Sequence, residues 1–224
     1  EMAVGKFAEG AKNEWYYFDQ TGKAVTGLQK IGQQTLYFDQ DGKQVKGKVV
    51  TLADKSIRYF DANSGEMAVG KFAEGAKNEW YYFDQAGKAV TGLQKIGQQT
   101  LYFDQDGKQV KGKVVTLADK SISYFDANSG EMAANKFVEG AKNEWYYFDQ
   151  TGKAVTGLQQ IGQQTLYFDQ DGKQVKGKVV YVNGANRYFD PNSGEMARNK
   201  WIQLEDGSWM YFDRNGRGRR FGWN

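Results

Sequence analysis

Three Gln-x-Lys pairs stand out as groups able to do chemistry: Gln44 with Lys46, Gln109 with Lys111, and Gln174 with Lys176. Residues two apart on a strand share a face, so each pair presents an amide beside an ammonium. Such a pair donates and accepts hydrogen bonds but supplies neither a nucleophile nor a general base, so its chemistry is binding. A sugar ring offers matching features, a CH-rich face that stacks on an aromatic plane and a rim of hydroxyls that donate and accept. The chain is rich in the required planes, with 14 Tyr, 14 Phe and 6 Trp.

Other chemistries are poorly provided for. Cysteine and histidine are both absent, which removes disulfides, thiolate metal sites and the commonest general base. Glu9 with Glu14, or Asp39 with Asp41, could be paired as glycosidase carboxylates. They fall in turns of a tandem array, which offers no unique cleft to raise one pKa. Asp39-Gln40-Asp41-Gly42 supplies too few oxygens at the right offsets for calcium. The expectation is therefore no catalytic residue, no metal and no cofactor. A net charge of +3 creates no field that would drive the chain onto nucleic acid or anionic lipid. No apolar run approaches the length of a membrane-spanning helix, so no membrane insertion is expected.

The elements that position these residues follow from a repeat. Residues 1–65 and 66–130 differ only at Thr21/Ala86 and Arg58/Ser123. Residues 131–195 follow with one deletion near Asn183-Gly184, and a divergent partial unit covers 196–224. The whole of 1–224 reads as one repeat array. Glu1-Met2-Ala3-Val4-Gly5 recurs as Glu66-Met67-Ala68-Val69-Gly70, so the chain reads as a segment of a longer protein. Inside each unit Tyr-Phe-Asp recurs with its Tyr at 17, 37, 59, 82, 102, 124, 147, 167, 188 and 211.

Each instance reads as a β-hairpin. An aromatic strand such as Trp15-Tyr16-Tyr17-Phe18-Asp19 meets a turn at Gly22, then a short strand Lys23-Ala24-Val25-Thr26 closed by Gly27. Alternation sends Phe18, Phe38 and Phe60, with Val25 and Val45, inward, and Tyr17, Tyr37 and Tyr59 the other way. Asp19, Asp39 and Asp61 read as turn caps. A lone hairpin is marginal in water, so stability must come from stacking on neighbours. The fold class is all-β, an elongated β-solenoid of about ten Tyr-Phe-Asp hairpins, three per 65-residue unit. Trp201, Trp209, Trp223 and Arg217-Gly218-Arg219-Arg220 mark the last unit as a terminal cap.

Trp15-Tyr16-Tyr17-Phe18-Asp19 followed by Gly22-Lys23-Ala24-Val25-Thr26-Gly27 resembles the aromatic cell-wall-binding repeats of secreted bacterial surface proteins, which include choline-binding modules. Addition of Ile31-Gly32-Gln33, Leu36-Tyr37-Phe38-Asp39 and Gly42-Lys43-Gln44-Val45-Lys46-Gly47 makes the chain resemble the carboxy-terminal glucan-binding repeats of glucansucrases. That resemblance implies a hairpin solenoid outside the catalytic part of a sucrose-dependent glucosyltransferase, placed in the secreted space or on the bacterial cell surface. It implies an α-glucan, dextran-like partner; the chain is expected to be a monomer. It also implies a stacking aromatic beside each Gln-x-Lys pair, a role assigned to Tyr37, Tyr102 and Tyr167, with Trp15, Trp80 and Trp145 as flanking platforms.

A second role for Tyr37 stays open, because a purely structural ladder would also repeat Tyr in every hairpin. Choline-binding hairpins usually end Thr-Gly-Trp, and that Trp helps to cage a quaternary ammonium. The corresponding positions here are read as Leu28, Lys48 and Lys71. Lysine in such a wall would repel choline, which favours glucan over a choline or teichoic-acid anchor. Gln-x-Lys occurs once per unit, so one pocket per 65 residues is expected.

Overall fold

The computed structural model describes residues 3–220. They are all-β apart from three single-turn 3-10 segments, Ala11–Asn13, Ala76–Asn78 and Ala141–Asn143. The first repeat contains three antiparallel hairpins: β1 (Lys6–Glu9) with β2 (Trp15–Phe18), β3 (Gly27–Ile31) with β4 (Gln34–Phe38), and β5 (Lys48–Thr51) with β6 (Ile57–Phe60). The second and third repeats reproduce this order. The chain divides into two compact units, Glu1–Val110 and Lys111–Asn224, each a stack of such hairpins.

The strand that pairs with each aromatic strand lies upstream of it, which corrects the expected hairpin. Gly27–Ile31 pairs with Gln34–Phe38 across the two-residue loop Gly32-Gln33, a length that suits a tight hairpin turn. The segment after each Gly turn makes only an isolated bridge, Phe18↔Ala24, Phe38↔Gln44 and Phe60↔Met67 in the first repeat. Its main task is to join hairpins. Beyond the bridge residue, Val45 N donates back to Tyr37 O at 2.8 Å, while Gln44 N donates to Trp15 O at 2.7 Å in the hairpin before. Met67 N to Thr35 O at 2.8 Å and Ala89 N to Ile57 O at 2.8 Å repeat the link. Each hairpin's marginal sheet is thus extended by main-chain bonds from the next one.

The Phe of Tyr-Phe-Asp forms the core. Phe38, Phe60, Phe83, Phe103, Phe125, Phe148, Phe168, Phe189 and Phe212 are all fully buried, each contributing roughly 1.5–3 kcal/mol of apolar transfer. Phe18, Val25 and Val45 are half-buried. The second inward position, two residues before the Phe, differs among the three hairpins: Tyr81, Leu101 and Ser123 in the second repeat, all buried. Asp39 Oδ1 accepts from the backbone N–H of Asp41 and Lys43 at 2.9 Å, and Asp61 Oδ1 from Asn63 and Ser64 at 3.0 and 2.9 Å, so these carboxylates cap turns as expected.

At the carboxyl end, Lys200–Gln203, Trp209–Phe212 and Gly218–Arg220 form a three-stranded sheet. Here the segment after the Gly turn becomes a full strand, and Arg220 pairs with Asp206 at 3.0 Å. Trp201 and Trp209 are exposed on this sheet; Trp223 lies outside the described residues.

Candidate functional site

The Gln-x-Lys side chains reach across to the turn of the following hairpin. Gln44 Nε2 donates to Ser64 O at 3.4 Å and Lys46 Nζ to Asn63 O at 3.0 Å. In the third repeat Gln174 Nε2 donates to Ser193 O at 3.3 Å and Lys176 Nζ to Asn192 O at 3.0 Å. In the middle copy Gln109 belongs to the first compact unit and Lys111 opens the second, where its Nζ donates to Asn128 O at 3.0 Å. Lys46 and Lys176 each retain two further N–H donors beside the main-chain bond. Both pairs are half-buried, so the heads stand at a rim.

The bridges fix the face on which each Gln lies. Gln44 lies opposite Phe38, and therefore on the face of Phe38 and away from Tyr37. The Tyr37 ring instead stacks on Phe60 of the next hairpin, 5.4 Å between centroids at 24°, and Tyr167 on Phe189 at 5.5 Å and 29°. Tyr59, which has no Gln-x-Lys pair, also packs on the next Phe, Phe83, at 6.2 Å and tilted by 31°. The ladder of Tyr on the following Phe is thus a packing element in its own right. Tryptophan does meet the pair in the third repeat: Lys176 Nζ sits 5.7 Å above the Trp145 ring centroid, and the Gln174 N–H bonds Trp145 O at 2.7 Å. The same main-chain bond joins Gln109 to Trp80 and Gln44 to Trp15.

Beside each Trp lies a glutamate ion pair. Glu144 Oε1 meets Lys173 Nζ at 2.7 Å, and Glu14 meets Lys43 at 3.0 Å. The Lys173 hydrogen bond holds the Glu144 carboxyl below its ordinary range and raises Lys173. Both groups stay charged at neutral pH, and Tyr146 Oη donates to the same carboxylate at 3.3 Å. Glu14, considered above as a possible acid, is therefore in a structural pair.

A second feature went unread in the sequence. In the first compact unit a groove of about 400 Å³ is lined by Tyr59, Phe72 and Trp80, with Asp61, Lys71 and Glu74 at its edge. Phe72 lies opposite Tyr82, its ring 4.9 Å away edge-on, and remains exposed like Trp80. Phe7 and Phe137 repeat the arrangement against Tyr17 and Tyr147. The available signal was the aromatic at 7, 72 and 137, where a core strand would not leave a ring uncovered. Trp80 belongs to both features, its carbonyl holding Gln109 and its ring lining the groove.

The register also corrects one positional reading. Leu28 faces Tyr37, and the residues facing Tyr59 and Tyr82 are Val49 and Phe72; Lys48 and Lys71 instead face Phe60 and Phe83, as Gly27 faces Phe38. The residue facing the Tyr is thus Leu28, Val49 or Phe72, while Lys71 still lines the groove beside Phe72.

These repeats match a known family. The profile of the choline-binding repeat covers residues 25–72, 90–137 and 155–201, and that of a cell wall binding repeat covers 11–24, 76–89, 135–154 and 199–217. The chain belongs to the choline-binding repeat family. Among solved structures of that family, choline binding protein F of Streptococcus pneumoniae is 26% identical with a TM-score of 0.67, over 94% of this chain and 77% of its own. The modular autolysin LytC of the same organism shares the fold at 18% identity and a TM-score of 0.72, over 98% of this chain and 49% of its own.

In sequence, glucosyltransferase-S of Streptococcus mutans is 48% identical over 221 residues, 98% of this chain and 15% of the relative. Glucosyltransferase-I of Streptococcus downei is 38% identical over 260 residues, 94% of this chain and 16% of the relative. The chain thus spans about a sixth of the length of these relatives, and that share consists of non-catalytic binding repeats. A cell-wall-binding repeat array is extracellular or at the cell surface. Among the described residues no helix is long and apolar enough to cross a membrane.

Proposed function

We propose that the chain is a carbohydrate-binding module that holds extended α-glucan at one site per 65-residue repeat and keeps product polymer beside a sucrose-dependent glucosyltransferase of the secreted space. Identity of 48% to glucosyltransferase-S over 98% of this chain carries the reading. The geometry supports it with exposed rings for the sugar's CH face and, at the rim, Lys and Gln groups for its hydroxyls. The pairs concerned are Gln44 with Lys46, Gln109 with Lys111, and Gln174 with Lys176. We assign the stacking surface first to Trp15, Trp80 and Trp145, because Lys176 lies over Trp145, and second to the uncovered parts of Tyr37, Tyr102 and Tyr167.

Single sites of this kind are weak, because hydroxyls exchange water bonds for protein bonds at little net gain. Several sites on one polymer raise avidity by about 10² or more. Titration calorimetry with isomalto-oligosaccharides of a few sugars and with long dextran tests the reading. Dextran must bind at least tenfold more tightly per chain; equal affinity for both would overturn it.

One observation favours a second reading, a choline-bearing wall polymer as partner. Tyr59, Phe72 and Trp80 with Asp61 and Glu74 make a three-ring, two-carboxylate groove of the kind a quaternary ammonium occupies, with Lys71 as the one cation opposing it. Retention on a choline resin with elution by free choline supports that reading, and flow-through removes it.

A further inference from the structure

We propose that a cavity where the third repeat meets the last partial one, bounded by Arg187, Arg198 and Arg214, binds a phosphate group. The cavity holds about 390 Å³ and is completed by Gln159, Gln160 and Thr165, with no carboxylate in its lining. Asp190 and Glu195 line another depression that shares Arg198 and contains Lys200, and the Asp213 carboxylate beside Arg214 is held in its own turn by the N–H groups of Asn215 and Arg217 at 2.8 and 3.0 Å. The inference does not depend on the glucan reading.

The repeat itself shows that this concentration of charge is a departure. The positions of Arg187, Arg198 and Arg214 are filled by Arg58, Val69 and Gln85 where the first repeat meets the second, and by Ser123, Ala134 and Gln150 where the second meets the third. The fold tolerates all three sets, so packing does not demand the arginines.

Arg187 carries the strongest signal. It is 9% exposed, and its Nε is a buried donor without a partner, the one such side-chain atom among the described residues. Its Nη1 donates to Asn215 O at 2.6 Å. Arg58 makes the same bond to Ala86 O at 2.6 Å, but its Nε is satisfied by Ser56 Oγ at 3.3 Å. The residue at the Ser56 position is Ala185, so the hydroxyl is missing where the other two arginines were added. A buried, charged donor left unpaired is costly, and an acceptor is expected for it.

Arg198 is already held in place. Its Nη2 donates to Thr165 Oγ1 at 2.8 Å, Thr165 Oγ1 donates to Gln160 Oε1 at 2.8 Å, and Gln160 Nε2 donates to Gly162 O at 3.0 Å. The remaining guanidinium donors of Arg198 and Arg214 match the forked geometry of an oxyanion. Three cations without a lining carboxylate suit a doubly charged phosphate better than a singly charged carboxylate or a neutral sugar. The volume leaves space for the group to which the phosphate is esterified.

Nitrogen-15 correlation spectra of the arginine Nε–H groups, recorded on the full chain during addition of inorganic phosphate and separately of glycerol 3-phosphate, test the proposal. Saturable shifts of arginine resonances are expected with both probes, and tighter binding of the ester would identify a phosphate borne on a larger molecule as the ligand. The variant Arg198→Val/Arg214→Gln restores the residues found where the first repeat meets the second and must fold, while its affinity falls at least tenfold. Arg187→Ser, the residue of the second repeat, must weaken binding likewise. Linear, non-saturating shifts equal to those caused by chloride at the same ionic strength would overturn the proposal, as would undiminished affinity in Arg198→Val/Arg214→Gln.

Discussion

Gly65→Ala should damage the Gln44–Lys46 rim without removing any atom that could touch a ligand. Gly65 has φ +73°, and an added Cβ would fall on Gln44 Nε2 and lie 3.1 Å from Lys46 Cγ. The left-handed backbone alone costs an alanine about 1–2 kcal/mol. Displacing the two side chains also breaks the bonds to Ser64 O and Asn63 O, at about 0.5–1.5 kcal/mol each. The loss for Gly65→Ala is therefore about 2–5 kcal/mol. Gly27→Ala is the control, since Gly27 has φ +74° and its Cβ would meet nothing within 4 Å; it loses only the backbone contribution, about 1–2 kcal/mol. Urea denaturation compares the two midpoints. Equal losses would refute the clamp, because they would mean that Gln44 and Lys46 yield without resistance.

Phe83→Ala empties a fully buried position and should cost about 3–5 kcal/mol by denaturation; a loss below 1 kcal/mol would contradict the Phe core. Ser123→Ala strands Gly152 O, which the buried hydroxyl now serves at 2.7 Å, and should cost about 1–3 kcal/mol. The turn carboxylates Asp61, Asp126 and Asp190 are lowered, first by backbone N–H donors from Ser64, Ser129 and Ser193. Their contribution is complete above the unfolded value of about 3.9 and disappears as pH falls through the lower folded values. Thermal midpoints should thus be flat from about pH 8 to 5 and fall below about pH 4, with a shallower fall in Asp126→Asn.

Much of the fold is legible in the sequence because the repeat samples each position several times. Tyr-Phe-Asp marks the strand, and burial of Phe38, Phe60 and Phe83 follows from simple alternation. Strand pairing is less legible. Lys23-Ala24-Val25-Thr26 and Gly27–Ile31 both have strand composition, and only the tertiary link from Gln44 to Trp15 shows that the segment after the turn serves the neighbouring hairpin. The site is the hardest part to read. Alternation assigns Gln44 and Tyr37 to strands without showing that the bridge to Phe38 puts them on different faces. Arg187 illustrates another limit, because its unpartnered Nε depends on Ala185 standing where Ser56 satisfies the equivalent Arg58 Nε in the first repeat.

Affinity electrophoresis in native gels with and without dextran tests the central claim most directly, run on the wild type and on Gln44→Ala/Gln109→Ala/Gln174→Ala. The account predicts strong retardation of the wild type by dextran and near-normal mobility of the triple variant. A wild type that migrates identically in both gels contradicts glucan binding, and a triple variant retarded as strongly as the wild type contradicts the site.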